Sequence, residues 1–173
     1  MSDRAFLTGV ERFVGEDEII VSKTDPRGVI TYANDVFARV AGYTRAELMG
    51  QPHSIVRHPA MPRVVFKVLW DTISAGREIF AYVLNRAKTG DHYWVFAHVT
   101  PTLDAKGHVT GYHSNRRKPD AAQVEKIKPL YAALLAEEKR HDSRKDGMLR
   151  GFDCLSDVLK SKGVEYDEFV FSL

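Results

Sequence analysis

The sequence predicts an α+β protein: an antiparallel sheet of five strands with short helices clustered on one face. Three observations lead there. Apolar residues alternate with period two in some stretches and recur at helical spacing in others. Turn signals at Asp25-Pro-Arg-Gly28, Lys88-Thr-Gly-Asp91 and Asp104-Ala-Lys-Gly107 separate the alternating stretches. The resulting order is two strands, several short helices, three strands, then helices.

Composition narrows the class. The 173 residues suit one domain of ordinary size plus an appendage. With 44% apolar and 28% charged residues, the profile is that of a soluble globular protein. A net charge of +2 gives no footprint for nucleic acid, and Arg116, Arg117 and Lys118 read as a solvated strand end. The single cysteine, Cys154, excludes an internal disulfide and a Cys-rich metal site, and fits a reducing cytoplasm. No apolar run approaches the roughly 20 residues that span a bilayer, so no direct membrane insertion is expected. The opening MSDRAFLTGVERF has charges through its apolar positions and no signal-peptide core. The expected location is the cytoplasm.

Taken in order, residues 3–15 read as a short amphipathic helix, because Phe6, Leu7, Val10, Phe13 and Val14 recur at helical spacing. Such a helix is marginal alone and is expected to pack on the domain or on a second copy. Glu18–Thr24 and Val29–Ala33 read as a hairpin. Asn34 suits a helix N-cap, Val36, Phe37, Val40 and Ala41 give that helix an inner face, and Gly42 stops it. Thr44-Arg-Ala-Glu47 matches a capping box. A helix with Val64, Val65, Val68, Leu69, Trp70 and Ile73 follows Pro62 and ends at Gly76. Glu78–Ala87, Tyr93–Leu103 and Val109–Arg117 read as a three-stranded meander. From Pro119 the chain is helical, with Pro129 placed to split or kink it. Glu137–Lys145 reads as a solvated stretch, Met148–Leu159 as another apolar stripe, and 164–173 as a last helix or strand. The expected organisation is a cap helix over 1–17, a sensor domain over 18–118, and a helical output or dimerisation extension over 119–173.

Between the short helices lies Gly50–Pro62, GQPHSIVRHPAMP, with two histidines, one arginine and three prolines. Proline fixes φ, lacks an N–H and biases its predecessor away from helix. The segment therefore reads as a kinked connection presenting His53, Arg57 and His58. These line a cofactor or anion pocket, or they sit on a structured surface loop.

The runs GVITYANDVF, GYTRAELMGQPHSIVRHPAMP, NRAKTGDHYWV and GHVTGYHSNRR resemble a PAS domain over roughly Glu18 to Lys118. More narrowly they are similar to the sensory PAS domain of bacterial aerotaxis receptors. That resemblance implies FAD, held noncovalently between the sheet and the short helices. It implies that Arg57 and His58 are needed to retain flavin, and that Asn85 and Tyr93 lie at matching positions on the sheet. Asn34, His53 and Trp70 belong to the matching motifs, and Trp70 is either a wall of the ring pocket or a core residue. An arginine offers a planar fork to a pyrophosphate, and an asparagine amide offers a donor and an acceptor to a flavin edge. Three positions depart from the family pattern: Ala60 replaces an aspartate, Ile79 a tryptophan and Ala81 a glycine. The receptor family also continues into a membrane anchor and a signalling coiled coil, which this sequence does not match.

Competing chemistries are weighed on the same residues. Haem is the alternative cofactor, through His53 or His58. An empty pocket makes the chain a protein-interaction module. A photo-adduct needs a cysteine near His53–His58, and none is there. His92, His98, His108 and His113 are scattered along strands and do not form a metal set. No nucleophile–base motif is present, so no enzyme is expected. The expected function is a redox, oxygen or energy sensor acting as a homodimer or through a chemoreceptor or histidine kinase.

Overall fold

A computed structural model describes residues 6–173. The strands are β1 (Ile20–Thr24), β2 (Ile30–Ala33), β3 (Ile79–Arg86), β4 (His92–Leu103) and β5 (Val109–Arg117). They form one antiparallel sheet in the order β2-β1-β5-β4-β3. The predicted hairpin and meander are both present, and they join where β1 pairs with β5. Helices α1 (Asp35–Ala41), α2 (Arg45–Leu48) and α3 (Arg63–Ser74), with a 3-10 turn at His53–Val56, connect β2 to β3. Helices α4 (Ala121–Lys139), α5 (Arg144–Lys162) and α6 (Tyr166–Phe171) follow the sheet.

Side-chain parity divides the two faces of the sheet. Val83 and Asn85 of β3 and Ala97 and Val99 of β4 face a cavity roofed by α3 and the 3-10 turn. Their neighbours face the C-terminal helices. The Tyr131 hydroxyl donates to the Tyr82 carbonyl at 2.6 Å, and Trp94 stacks on Tyr131. Phe171 of α6 packs on Phe80, with ring centroids 4.8 Å apart. The short helices thus cover one face and the extension covers the other.

Local chemistry sets the helix ends. Asn34 Oδ1 accepts from the Phe37 amide at 3.0 Å, and Gly42 closes α1 at φ 72°. Thr44 and Glu47 make the reciprocal capping box that starts α2. Helix α3 has no side-chain cap from its own segment.

Three expectations are corrected. Residues 6–17 contain no helix, and residues 1–5 lie outside the described part. The segment instead runs beside the start of β4, with the Thr8 amide donating to Gly90 and the Arg12 amide to His92. Thr8, Arg12 and Thr89 converge on Asp91 and hold its carboxyl down at about 2. These bonds outweigh a helix too short to be stable alone. Of its apolar set only Val14 is buried, whereas Phe6, Leu7, Val10 and Phe13 are exposed. Second, α4 runs through Pro129 as one helix and on to Lys139, so the predicted solvated stretch shrinks to Arg140–Ser143. Glu138 is the reason, being 4% exposed and engaged with α3. Third, Arg116 is no solvated strand end: it is 2% exposed on the inner face of β5. Among the described residues no helix is long and apolar enough to cross a membrane.

Candidate functional site

The cavity of about 230 Å³ lies between the inner face of the sheet and the roof formed by the 3-10 turn and α3. Its roof is held by the proline-rich segment, which behaves as a strap. At one end the strap bonds to β2: the Gly50 amide donates to Ile30, Ile30 to Gln51, and His53 to Gly28. At the other end Arg57 bridges to Asn85 on β3. The prolines suit this path, because each interrupts helix and leaves carbonyls free for neighbours.

Four of the seven predicted site residues line this one cavity: His53, Arg57, Trp70 and Asn85. The Arg57 guanidinium lies 3.9 Å over the Phe66 ring. Trp70 meets Tyr112 edge to face at 5.4 Å. Gly28 adopts φ +83°, and a Cβ there would stand 2.9 Å from the Trp70 ring, so the β1–β2 turn closes over Trp70 only with glycine. Asn85 is buried.

The other three residues stand outside the cavity wall. Asn34 caps α1, also accepts from the Val21 amide at 3.1 Å, and donates to the Ile19 carbonyl at 2.8 Å. The His58 ring accepts from the Ala60 amide at 3.0 Å and lies edge-on to His92. Burial, with His92 and Arg86 nearby, pushes His58 down to about 4. Tyr93 is fully buried in the core, and burial drives its phenol upward. At the departing positions, Ala60 is exposed, while Ile79 and Ala81 are buried.

Sequence reasoning missed the centre of the site. Arg116 donates to Ser22 Oγ at 2.6 Å and to His53 Nε2 at 3.3 Å, and lies over the Phe37 ring at 4.4 Å. A guanidinium has no acceptor, so His53 Nε2 accepts and its proton sits on Nδ1. Burial and then the Arg116 charge push His53 down to about 3, which keeps it neutral. Burial also lowers Arg116, to about 10, so it remains a cation at neutral pH. No carboxylate lines the cavity among the described residues, although Arg27, Arg57 and Arg116 all do. Arg116 Nε and Tyr93 Oη are buried and have no partner. A buried cation with an unspent donor suits an acceptor-rich ligand edge, and apolar walls at Val83, Phe66 and Trp70 suit a flat ring. The residues present therefore fit a flavin. The period-two parity of Tyr112, Ser114 and Arg116, all lining the cavity, was the available signal.

Among the described residues no group of three or more histidine, cysteine or acidic side chains could hold a metal ion. Cys154 lies on α5, away from the cavity wall.

An antiparallel sheet of five strands roofed by short helices over a cavity defines the class, an α+β fold with an internal pocket. A family model described as "PAS fold" matches residues 30–116, and the chain belongs to that family. It is 41% identical over 136 residues to the aerotaxis receptor of Escherichia coli K12, covering 79% of this chain and 27% of that protein. It is 31% identical over 112 residues to the nitrogen fixation regulatory protein of Klebsiella pneumoniae, covering 65% and 22%. The chain thus spans about a quarter of the length of these relatives. Among solved structures, the dark form of the blue-light photoreceptor Aureochrome1 LOV superposes with TM-score 0.54 at 26% identity, covering 70% of this chain and 84% of that one. A light-oxygen-voltage domain studied with a flavin analogue superposes with TM-score 0.57 at 19% identity, over 73% and 90%. The chain is a PAS domain related in sequence to the aerotaxis receptor and the nitrogen fixation regulatory protein, and it shares its fold with the light-oxygen-voltage domains.

Proposed function

We propose that the cavity holds FAD noncovalently and that the chain is a cytoplasmic redox or oxygen sensor, not an enzyme. The observation that carries this reading is the buried Arg116, cationic, without a carboxylate and with Nε unspent, in a cavity that Asn85, Phe66 and Trp70 also line. When bound, flavin supplies one- and two-electron redox chemistry. The protein's part is to bind and to read. Arg116 holds an acceptor edge, and Phe66 and Trp70 exclude water from the ring face. The Asn85 amide carries both a donor and an acceptor, so it can reverse its hydrogen bond when the group opposite gains a proton. Arg57 offers a planar fork to phosphate. Similarity to an aerotaxis receptor supports the sensory reading. Output then passes to a partner, either a second copy or a chemoreceptor or histidine kinase.

Haem is disfavoured by the same geometry. His53 Nε2 is engaged by Ser22 and Arg116, and His58 stands outside the cavity wall. The native protein is expected to be yellow, with a flavin spectrum and extractable FAD. A Soret band would assign haem instead. A colourless protein that takes up no added FAD would make the chain an interaction module.

A further inference from the structure

Helix α3 is shared between the cavity and the C-terminal extension. One face carries Phe66, Leu69, Trp70 and Ile73 into the cavity. Its N-terminus has no cap from the preceding segment, where Pro62 occupies the cap position, and no acidic residue in its first turn. The first amides of any helix need an acceptor, and a carboxylate serves best. Here it arrives from 75 residues away: Glu138 Oε2 accepts from the Arg63 amide at 3.0 Å, and Oε1 from the Val64 amide at 2.9 Å. Glu138 is 4% exposed, and no described cation pairs with it. Helix α5 closes over it through two glycines. A Cβ at Gly147 would overlap the Glu138 carbonyl oxygen, and one at Gly151 would press on Glu138 Cγ at 3.1 Å and on Val64 at 3.5 Å. Glu138 thus joins α4 to α3 beneath α5, whose close approach requires glycine at position 147.

We propose that Glu138 is a latch coupling cavity occupancy to the seating of α5 and α6. The proposal rests on the cavity being the flavin site. Each carboxylate oxygen fits one α3 amide, so a shift of α3 on ligand binding breaks or strengthens both bonds together. The buried carboxylate has no water to turn to, so α4 and the glycine roof of α5 must follow. Coupling of this kind is reciprocal: if the ligand steadies the extension, the extension steadies the ligand.

The test uses the full chain and FAD as probe. Hydrogen exchange at α5 amides is compared with and without FAD, and FAD affinity is measured by fluorescence titration. The wild type is expected to show α5 exchange slowed about fivefold or more by FAD. Glu138→Gln keeps the shape and loses the charge. It is expected to weaken FAD about fivefold and to abolish the FAD dependence of α5 exchange. Gly151→Ala keeps the carboxylate's charge but crowds its Cγ and Oε1 against α5, and it should act in the same direction. A merely structural Glu138 would lower stability while leaving α5 exchange in the wild type indifferent to FAD. FAD binding with no change in α5 exchange overturns the latch and leaves the flavin reading intact. A wild type that binds no FAD overturns both.

Discussion

Arg116 sets the character of the site, and it was hidden by its neighbours. In the run Arg116-Arg117-Lys118 a basic strand end is the ordinary reading, yet parity sends Arg116 inward. Serine, histidine and a phenyl ring hold its guanidinium, none of them charged. A buried cation so held costs folding energy that only a ligand recovers. Arg116→Met should therefore raise the stability of the ligand-free protein by about 1 kcal/mol. It should also weaken FAD by at least about tenfold, equal to about 1.4 kcal/mol. Urea denaturation of the apo protein and flavin titration measure the two effects. Equal affinity in the variant would remove Arg116 from the ring's contacts. His53, Arg57, Trp70 and Asn85 were legible because motif and position agreed. His58 and Tyr93 were legible as motif members only, since a motif does not state which face a side chain takes.

At the scale of elements, local rules succeeded where a few neighbouring residues decide the outcome. The capping box at Thr44–Glu47 and the glycine stop at Gly42 need only their own segments. Asn34 shows how much one cap can join: its side chain accepts from Phe37 in α1 and from Val21 in β1, and donates to Ile19 just before β1. Asn34→Ala leaves the Val21 and Phe37 amides without their acceptor and should cost about 2–3 kcal/mol. A thermal melt reads this loss, and flavin content of the folded fraction should stay unchanged because Asn34 does not line the cavity. Local rules failed where a distant partner decides. The segment 6–17 has helical spacing, but Asp91 and the backbone of β4 capture it. The charged run after Glu137 looks solvated, but α3 lacks a cap and takes Glu138. Neither partner is near in sequence.

For the whole molecule, one cluster of buried side chains runs from Val14 through the sheet to Val170, so the PAS-fold residues and the helices after β5 share a core. Its response to acid follows from two histidines. His53 and His58 are held neutral to about 3 and about 4, whereas in the unfolded chain they protonate near about 6.5. Between those values the unfolded state binds more protons, so stability rises with pH. The contribution is complete above about pH 6.5 and is lost as pH falls through 4 and then 3. Each histidine adds a slope of up to about 1.4 kcal/mol per pH unit, less where His53 is partly solvated. Urea midpoints measured from pH 7 down to pH 4 check this. A flat profile over that window would show both histidines exposed to water.

The proline-rich strap has a consequence for how copies of this chain behave toward each other. It bonds to β2 at one end and to β3 at the other, and these are the two edge strands of the sheet. Laid flat, five strands would put those edges about 19 Å apart. The strap covers the span from Gln51 to Arg57 partly as a 3-10 turn, which advances only about 2 Å per residue. A reach of about 16 Å falls short of a flat sheet's width, so the sheet must curl enough to bring its borders closer. The strap lies against each border at one place, where a second chain would otherwise add a strand. A segment whose side chains line the cavity thus also shields, through its backbone, part of each edge from pairing with another chain.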